Sequence, residues 1–580
     1  MNTSKKKSVS RVICNNSIDY IKDLLDYTTN TKHKTLYNNY ETKITTLVDI
    51  FLKTHSQLIE NLFTIKNNLT FTISYKEENL NNNYNNTTNT IPAQHTIPSQ
   101  HTIPAQHTIP SFIDIFRHLI TINEFITQFT LDEQKNLKDN LNNNKTKTEC
   151  YTFLNKSQVG TKLLTIYNTF IYTYPTLYTN LLNLFPSLEF HSLLINNFTS
   201  YKLLEEIELK IKKLITYSIV WKGKTYPNIV YVFMYDDKHT PTTKEQIETL
   251  GTHIIKRLLF FNEFLNTNHL PERFILFLTD KKKEIDKDLT ENYHFKTKHV
   301  NTAVTNSRDI IIYRKEELFK SIFHEAIHFH HLDFRNLSSP YAKSTLEHFI
   351  KTHHINIDNT YLLYEAITET LANVLNSLYY SRDTKEMKLS LKNEIIFSTL
   401  QVSKILHLCN YSQWNDFSFN KSTNSQSTNS QSTNSQLTNS QLTKSKTLKL
   451  NQHNNKKFKQ DSCVFSYYVI KLYLLLNLPL YFKTILDKHL KFIETEKSFK
   501  QLRELIDVSR NNLLLQQFIN SLLQGMNKKL NNNNKVNNLN NNKINNKKVN
   551  SKKFKRKNIT KYNTIKKTMR MTCNENTIIL

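Results

Sequence analysis

Two tandem repeats limit what this chain can fold into more than any other feature. The first reads TIPAQHTIPSQHTIPAQHTIPS, from Thr90 to Ser111. A proline every six residues removes backbone donors and fixes φ, so this stretch reads as extended linker and not as helix. The second reads STNSQSTNSQSTNSQLTNSQLTKSK, from Ser422 to Lys446. Repeats so short and polar have no face to bury, so they read as disorder rather than as a solenoid. Asn-rich runs at Asn81–Asn86 and Asn531–Asn542 add two more flexible pieces. The expected organisation is therefore consecutive: a helical N-terminal region over 1–86, the Pro linker over 87–112, and a helical region over 113–220. A catalytic domain over 221–412, a low-complexity linker over 413–460, a helical lobe over 461–525 and a basic disordered tail over 526–580 complete it.

Composition narrows the setting. Only 4 of 580 residues are Gly, so many turns must rely on Asn or Asp, which tolerate left-handed backbone better than most residues. The five cysteines, Cys14, Cys150, Cys409, Cys463 and Cys573, are scattered with no CxxC pair. That argues against a disulfide framework and a thiolate zinc site, and for a reducing intracellular setting. The N-terminus is basic but lacks the apolar run of a signal peptide. The longest apolar stretch, CVFSYYVIKLYLLLNLPLYF (Cys463–Phe482), is interrupted by Lys471, Asn477 and Pro479. It predicts a buried helix followed by a turn, and no membrane span.

Periodicity predicts helices over 15–80 and 113–216, then a change of pattern near Trp221. NIVYVFMYDD (Asn228–Asp237), RFILFLTD (Arg273–Asp280) and DIIIYR (Asp309–Arg314) read as strands, with a helix over Thr242–Leu265. Helices return at 385–409 and 463–525. The fold class expected is mainly α with a small β-sheet, flanked by disordered linkers and a disordered C-terminal tail.

The third strand runs into KEELFKSIFHEAIHFHHLDF, a helix expected from Lys315. His324 and His328 are four apart and project from one side, so one metal ion can take both imidazoles. Glu325 follows the first of them. This is the HExxH arrangement, in which the histidines bind zinc and the glutamate acts as general base on water. In a chain with 22 His, one such match arises by chance only about a few per cent of the time.

A catalytic zinc needs a third protein ligand. NTYLLYEAITETLANVLNSLYY (Asn359–Tyr380) is a strongly helical stretch with Glu365 and Glu369 four apart on one face. Either can ligate zinc, and the other can accept the free N–H of a ligand histidine. Five of the seven alanines, Ala303, Ala326, Ala342, Ala366 and Ala372, fall around these motifs, where small residues let helices approach closely. Asp333 is a less favoured ligand, near the end of the motif helix. His330 points away from the His324–His328 face, and a metzincin-type third histidine is excluded because Phe334 occupies its place. His353 and His354 are loop candidates for stabilising a transition state.

HEAIH followed by EAITE resembles the gluzincin metallopeptidases, which carry HExxH on one helix and a glutamate ligand on a later one. The resemblance implies a zincin-like core holding one Zn2+ per chain. It implies His324, His328 and Glu365 as metal ligands, Glu325 as the catalytic base and Glu369 as the residue supporting a ligand from behind. Two departures stand out: the interval from His328 to Glu365 is longer than in the thermolysin-like branch, and Glu369 replaces Asp. The oxyanion residues and substrate strand of that branch have no match. A wider set of runs is similar to metallopeptidase-like proteins of nucleocytoplasmic large DNA viruses. These are HVNTAVT, DIIIYRKEELFKSIFHEAIHFHHLDF, YEAITETLANVL and CVFSYYVIK. The resemblance implies a host-cytoplasmic or virion location and a protein or peptide substrate.

The net charge of +28 is uneven, with 15 Lys or Arg against one acid between Met526 and Leu580. Lys552, Lys553, Lys555, Arg556 and Lys557 form a KKFKRK run that reads as a nuclear-localisation signal or a non-specific nucleic-acid contact. Three readings follow. The first is a zinc metallopeptidase. The second is a protease brought to nucleic-acid-bound proteins by this tail. The third is a non-enzymatic virion or scaffold protein with structural zinc or none.

Overall fold

The computed structural model describes residues 9–80, 112–173, 195, 201–235, 243–292, 294–333, 339–353, 362–418, 459–460, 462–541 and 564–574. The Pro repeat, most of the Ser/Thr/Asn/Gln repeat's flanks and the repeat itself, and the KKFKRK run lie outside them. The described residues are mainly helical, with one mixed six-stranded sheet. By contacts the chain divides into two compact units that interleave along the sequence. One holds 69–282 and 301–329, and the other holds 1–68, 283–300 and 330–578.

The sheet unit contains β1 (Thr72–Asn79), β2 (Ile211–Trp221), β3 (Lys224–Tyr235), β4 (Arg273–Thr279), β6 (Ala303–Thr305) and β7 (Asp309–Arg314), in the order β1-β2-β3-β4-β7-β6. The β3–β4 and β4–β7 pairs are parallel and the others antiparallel. Every residue of β7, and every residue of β4 after Arg273, is buried, as expected of central strands covered on both faces. On one face Ile275, Phe277, Ile311 and Tyr313 pack with Ile113, Phe116, Leu163 and Tyr167 from the helices between Phe112 and Thr173. On the other lie the crossover helix Lys244–Phe264, which links β3 to β4, and the motif helix Leu318–Phe329.

Local chemistry fixes these elements. Thr243 and Gln246 form a capping box that starts the crossover helix. Gly251 brings that helix against β2: a Cβ there would stand 2.3 Å from the Tyr217 ring. Tyr217 also donates its hydroxyl to Ile247 O at 2.8 Å. Arg273 grips the buried Asp309 through two bonds of 2.6 Å, at the point where the two residues are paired across β4 and β7. The register is pinned where the motif strand begins.

β1 and β2 correct the helical expectation for 15–80 and 113–216. The cause is tertiary pairing: β2 turns into β3 through Lys222-Gly223, both with positive φ, in a two-residue hairpin that fits the sheet twist. The sheet therefore begins well before residue 221. It also gains the short strand β6, which sequence patterning missed.

In the other unit the helix Leu362–Tyr380 is central. It packs against the helices Ser56–Asn68, Pro340–His353, Thr384–Leu408 and Phe465–Leu475. Even its Thr368, Glu369, Thr370, Asn373, Asn376 and Ser377 are fully buried. Two short strands, β5 (His294–Phe295) and β8 (Lys459–Gln460), pair in this unit. The apolar stretch from Cys463 becomes a π-helical turn (Phe465–Ile470) running into Lys471–Leu475, then bends by 95° into Leu478–Thr484, which Pro479 helps to start. No single helix among the described residues is long and apolar enough to cross a membrane, although that bent pair passes on length and composition.

The C-terminal region departs most from expectation. Residues 526–541, assigned above to a disordered tail, continue the helix Leu513–Asn541. Residues 564–574 are placed and largely buried, with Ile565, Met569, Met571 and Cys573 in the core. Side chains capture the segment's backbone. Lys404 Nζ donates to Ile565 O at 2.8 Å and also to Thr568 O, Gln401 Nε2 to Arg570 O, Tyr468 Oη to Met569 O, and Lys471 Nζ to Met571 O at 2.6 Å. Glu394 Oε2 accepts from Thr572 Oγ1 at 2.8 Å, Cys573 N at 3.0 Å and Asn574 Nδ2 at 3.2 Å.

Candidate metal centre

The motif helix starts after Glu317, whose positive φ turns the chain sharply out of β7, and ends before His331, which also has positive φ. Its apolar side is anchored by aromatic packing. Phe323 meets Phe260 and Phe261 edge-on, and the Arg257 guanidinium sits 4.0 Å from the Phe319 ring centre. Phe329 stacks on His269 with centroids 4.7 Å apart. A helix fixed in rotation by these rings holds its remaining side in one direction.

That side carries His324 and His328. Their Nε2 atoms are 3.2 Å apart and their rings are inclined at 77°. Two nitrogens that each lie about 2.0–2.1 Å from one tetrahedral zinc stand about 3.3 Å apart, so the observed spacing fits the ion. His324 is buried and His328 half-buried. Glu325 is buried, at 4% exposure. The ligand-capable atoms of His324, His328 and Glu365 all lie within 4.8 Å of one another, and they are the group of three so placed among the described residues. Two imidazoles and a carboxylate are a donor set that suits a divalent metal ion such as zinc.

Glu369 is fully buried one turn beyond Glu365. Its Oε1 accepts from Asn373 Nδ2 at 3.1 Å and lies 4.0 Å from Lys471 Nζ, which is equally buried. Sequence reasoning took Lys471 only as an interruption of the apolar stretch and not as a site residue, although it closes the CVFSYYVIK run. Cys463 opens that run, and its thiol is pushed well up by burial and secondarily by the charge of Glu365.

The other candidates among the described residues are not members of this group. Asp333 lies beyond the end of the motif helix, in a bend, and is not part of the group. His353 is not a loop residue: it ends the helix Pro340–His353 and is fully buried. Its Nδ1 pairs with Phe349 O and its Nε2 with Tyr473 Oη, both at 3.0 Å, which makes it a core histidine. His354 and the basic residues Lys552, Lys553, Lys555, Arg556 and Lys557 lie outside the described residues.

No family model, curated protein or solved structure matches this chain. The reading of the site therefore rests on its own geometry and chemistry.

Proposed function

We propose that the chain is a zinc-dependent peptidase, with His324, His328 and Glu365 as the metal ligands and Glu325 as the general base. The observation that carries this reading is the convergence of those three side chains within 4.8 Å, two of them flanking a glutamate in HEAIH. When bound, zinc supplies Lewis acidity to water and to an amide carbonyl. Glu325 takes a proton from the attacking water and returns it to the leaving amine nitrogen. Glu369 and Lys471 brace the helix that carries Glu365 from inside the core. Among the described residues β6 is an edge strand and packs against the motif helix, a position where an extended peptide can add as a further strand, and this supports a peptide substrate over a small molecule.

The test is Glu325→Gln. The variant should keep its zinc and lose about 10²–10⁴-fold in turnover of any peptide the wild-type chain cleaves. Full zinc with undiminished turnover would remove Glu325 from the mechanism.

A further inference from the structure

The C-terminal segment brings together two cysteines that stand 559 positions apart in sequence. Cys14 lies on the first helix, Val9–Leu24, and Cys573 near the end of the docked segment. Their sulfurs are 2.7 Å apart, within about 0.7 Å of a bonded pair. Both are buried, at 5% and 0% exposure, in a small cluster with Phe397 and with Ile13 packed against it. The Cys14 thiol also reaches Cys573 O at 3.3 Å and Asn574 Oδ1 at 3.7 Å. The segment cannot swing freely around this point, because Glu394, Asn376 and Ser377 hold residues 572–574. Two sulfurs held this closely by independently anchored backbones are positioned to bond.

We propose that Cys14 and Cys573 form a disulfide, closed by exchange with a low-molecular-weight disulfide such as oxidised glutathione, that fastens the C-terminal segment to the first helix. The step balances. One cysteine thiolate attacks the glutathione disulfide and releases one glutathione thiolate. The second cysteine thiolate then displaces the other glutathione, so two protein thiols are oxidised and one disulfide is reduced to two thiols. Burial pushes the Cys573 thiol well above its ordinary range, so Cys573 is held as the thiol once the segment has docked. The bond therefore closes as the segment docks, and burial then shields it. The linkage ties down both ends of the described chain, where fraying ordinarily begins. Sequence spacing could not show this contact, because the two cysteines stand 559 positions apart.

The experiment renatures the full chain from denaturant with oxidised glutathione, traps remaining thiols with N-ethylmaleimide and digests with trypsin without reduction. The expected product is one linked pair, Val12–Lys22 joined to Met571–Leu580, with Cys150, Cys409 and Cys463 all alkylated. The oxidised chain should melt several degrees above the reduced one, and that difference should vanish in Cys14→Ser. Cys573→Ser repeats the test should the first variant fold poorly. Recovery of Cys14 and Cys573 as separately alkylated or singly glutathionylated peptides, at every ratio of oxidant, overturns the proposal.

Discussion

The motif helix and the C-terminal segment both place polar groups where water is excluded, but they use them in opposite ways. Around HEAIH, the imidazoles of His324 and His328 face each other at 3.2 Å, with Glu365 in reach, so donors of one kind converge on a common point. Around residues 564–574, donors meet acceptors of the opposite kind: Lys404 and Lys471 donate to carbonyls, and Glu394 accepts from a hydroxyl, an amide nitrogen and a side-chain amide. Like donors crowded together make sense when a cation is to join them. Donors facing acceptors instead hold the protein's own backbone in place. His353 shows the same contrast on a smaller scale, since each of its ring nitrogens already has an oxygen partner.

Three perturbations sharpen that contrast, and they descend in size. Glu394→Ala strands the Thr572 hydroxyl, the Cys573 amide and the Asn574 side chain together. It should cost about 3 kcal/mol in denaturant unfolding and release protection of the C-terminal segment in hydrogen exchange. Zinc stoichiometry should hold, because none of the three ligands belongs to that network. Gly251→Ala strikes the other region. A methyl group driven into the Tyr217 ring should lift the crossover helix from β2 and cost about 1–3 kcal/mol. Its hydrogen-exchange signature should appear in the sheet unit and spare residues 564–574.

The third effect is a pH slope. Burial lowers the Lys404 amine from its ordinary value to about 7. Between pH 7 and about 10.5 the unfolded chain thus binds more protons at this site than the folded chain does. Stability from this group is fully present above the unfolded pKa and is lost as pH falls through about 7. The slope is about 1.4 kcal/mol per pH unit across that window. Lys404→Met should flatten it, as read from urea midpoints at pH 7.5, 8.5 and 9.5. An unchanged slope would mean that the lysine stays charged against its three oxygen acceptors.

Legibility from sequence follows the distance over which each feature is determined. β3, β4, β7, the crossover helix and the two motif helices carry their pattern within ten to twenty residues, and each appears where periodicity places it. β2 was missed because IKKLITYSIVW satisfies helical and strand periodicity alike, and only pairing with β3 decides between them. The Lys222-Gly223 turn was the available signal, carried by one of the chain's four glycines. The pairing of His324 with His328 was legible because a helix sets it. The C-terminal segment was not, because its basic composition reads as solvated tail, while its partners lie more than 90 residues away in sequence. Likewise Lys471 beside Glu369 follows from helix packing, which no local pattern encodes.

Metal content tests the central claim most directly. Elemental analysis of the purified chain beside His328→Ala should find about one zinc per wild-type chain and a small fraction of that in the variant, since each lost ligand weakens binding steeply. Zinc absent from both, or bound equally by both, would contradict the site and leave HEAIH a histidine-bearing helix packed against a sheet.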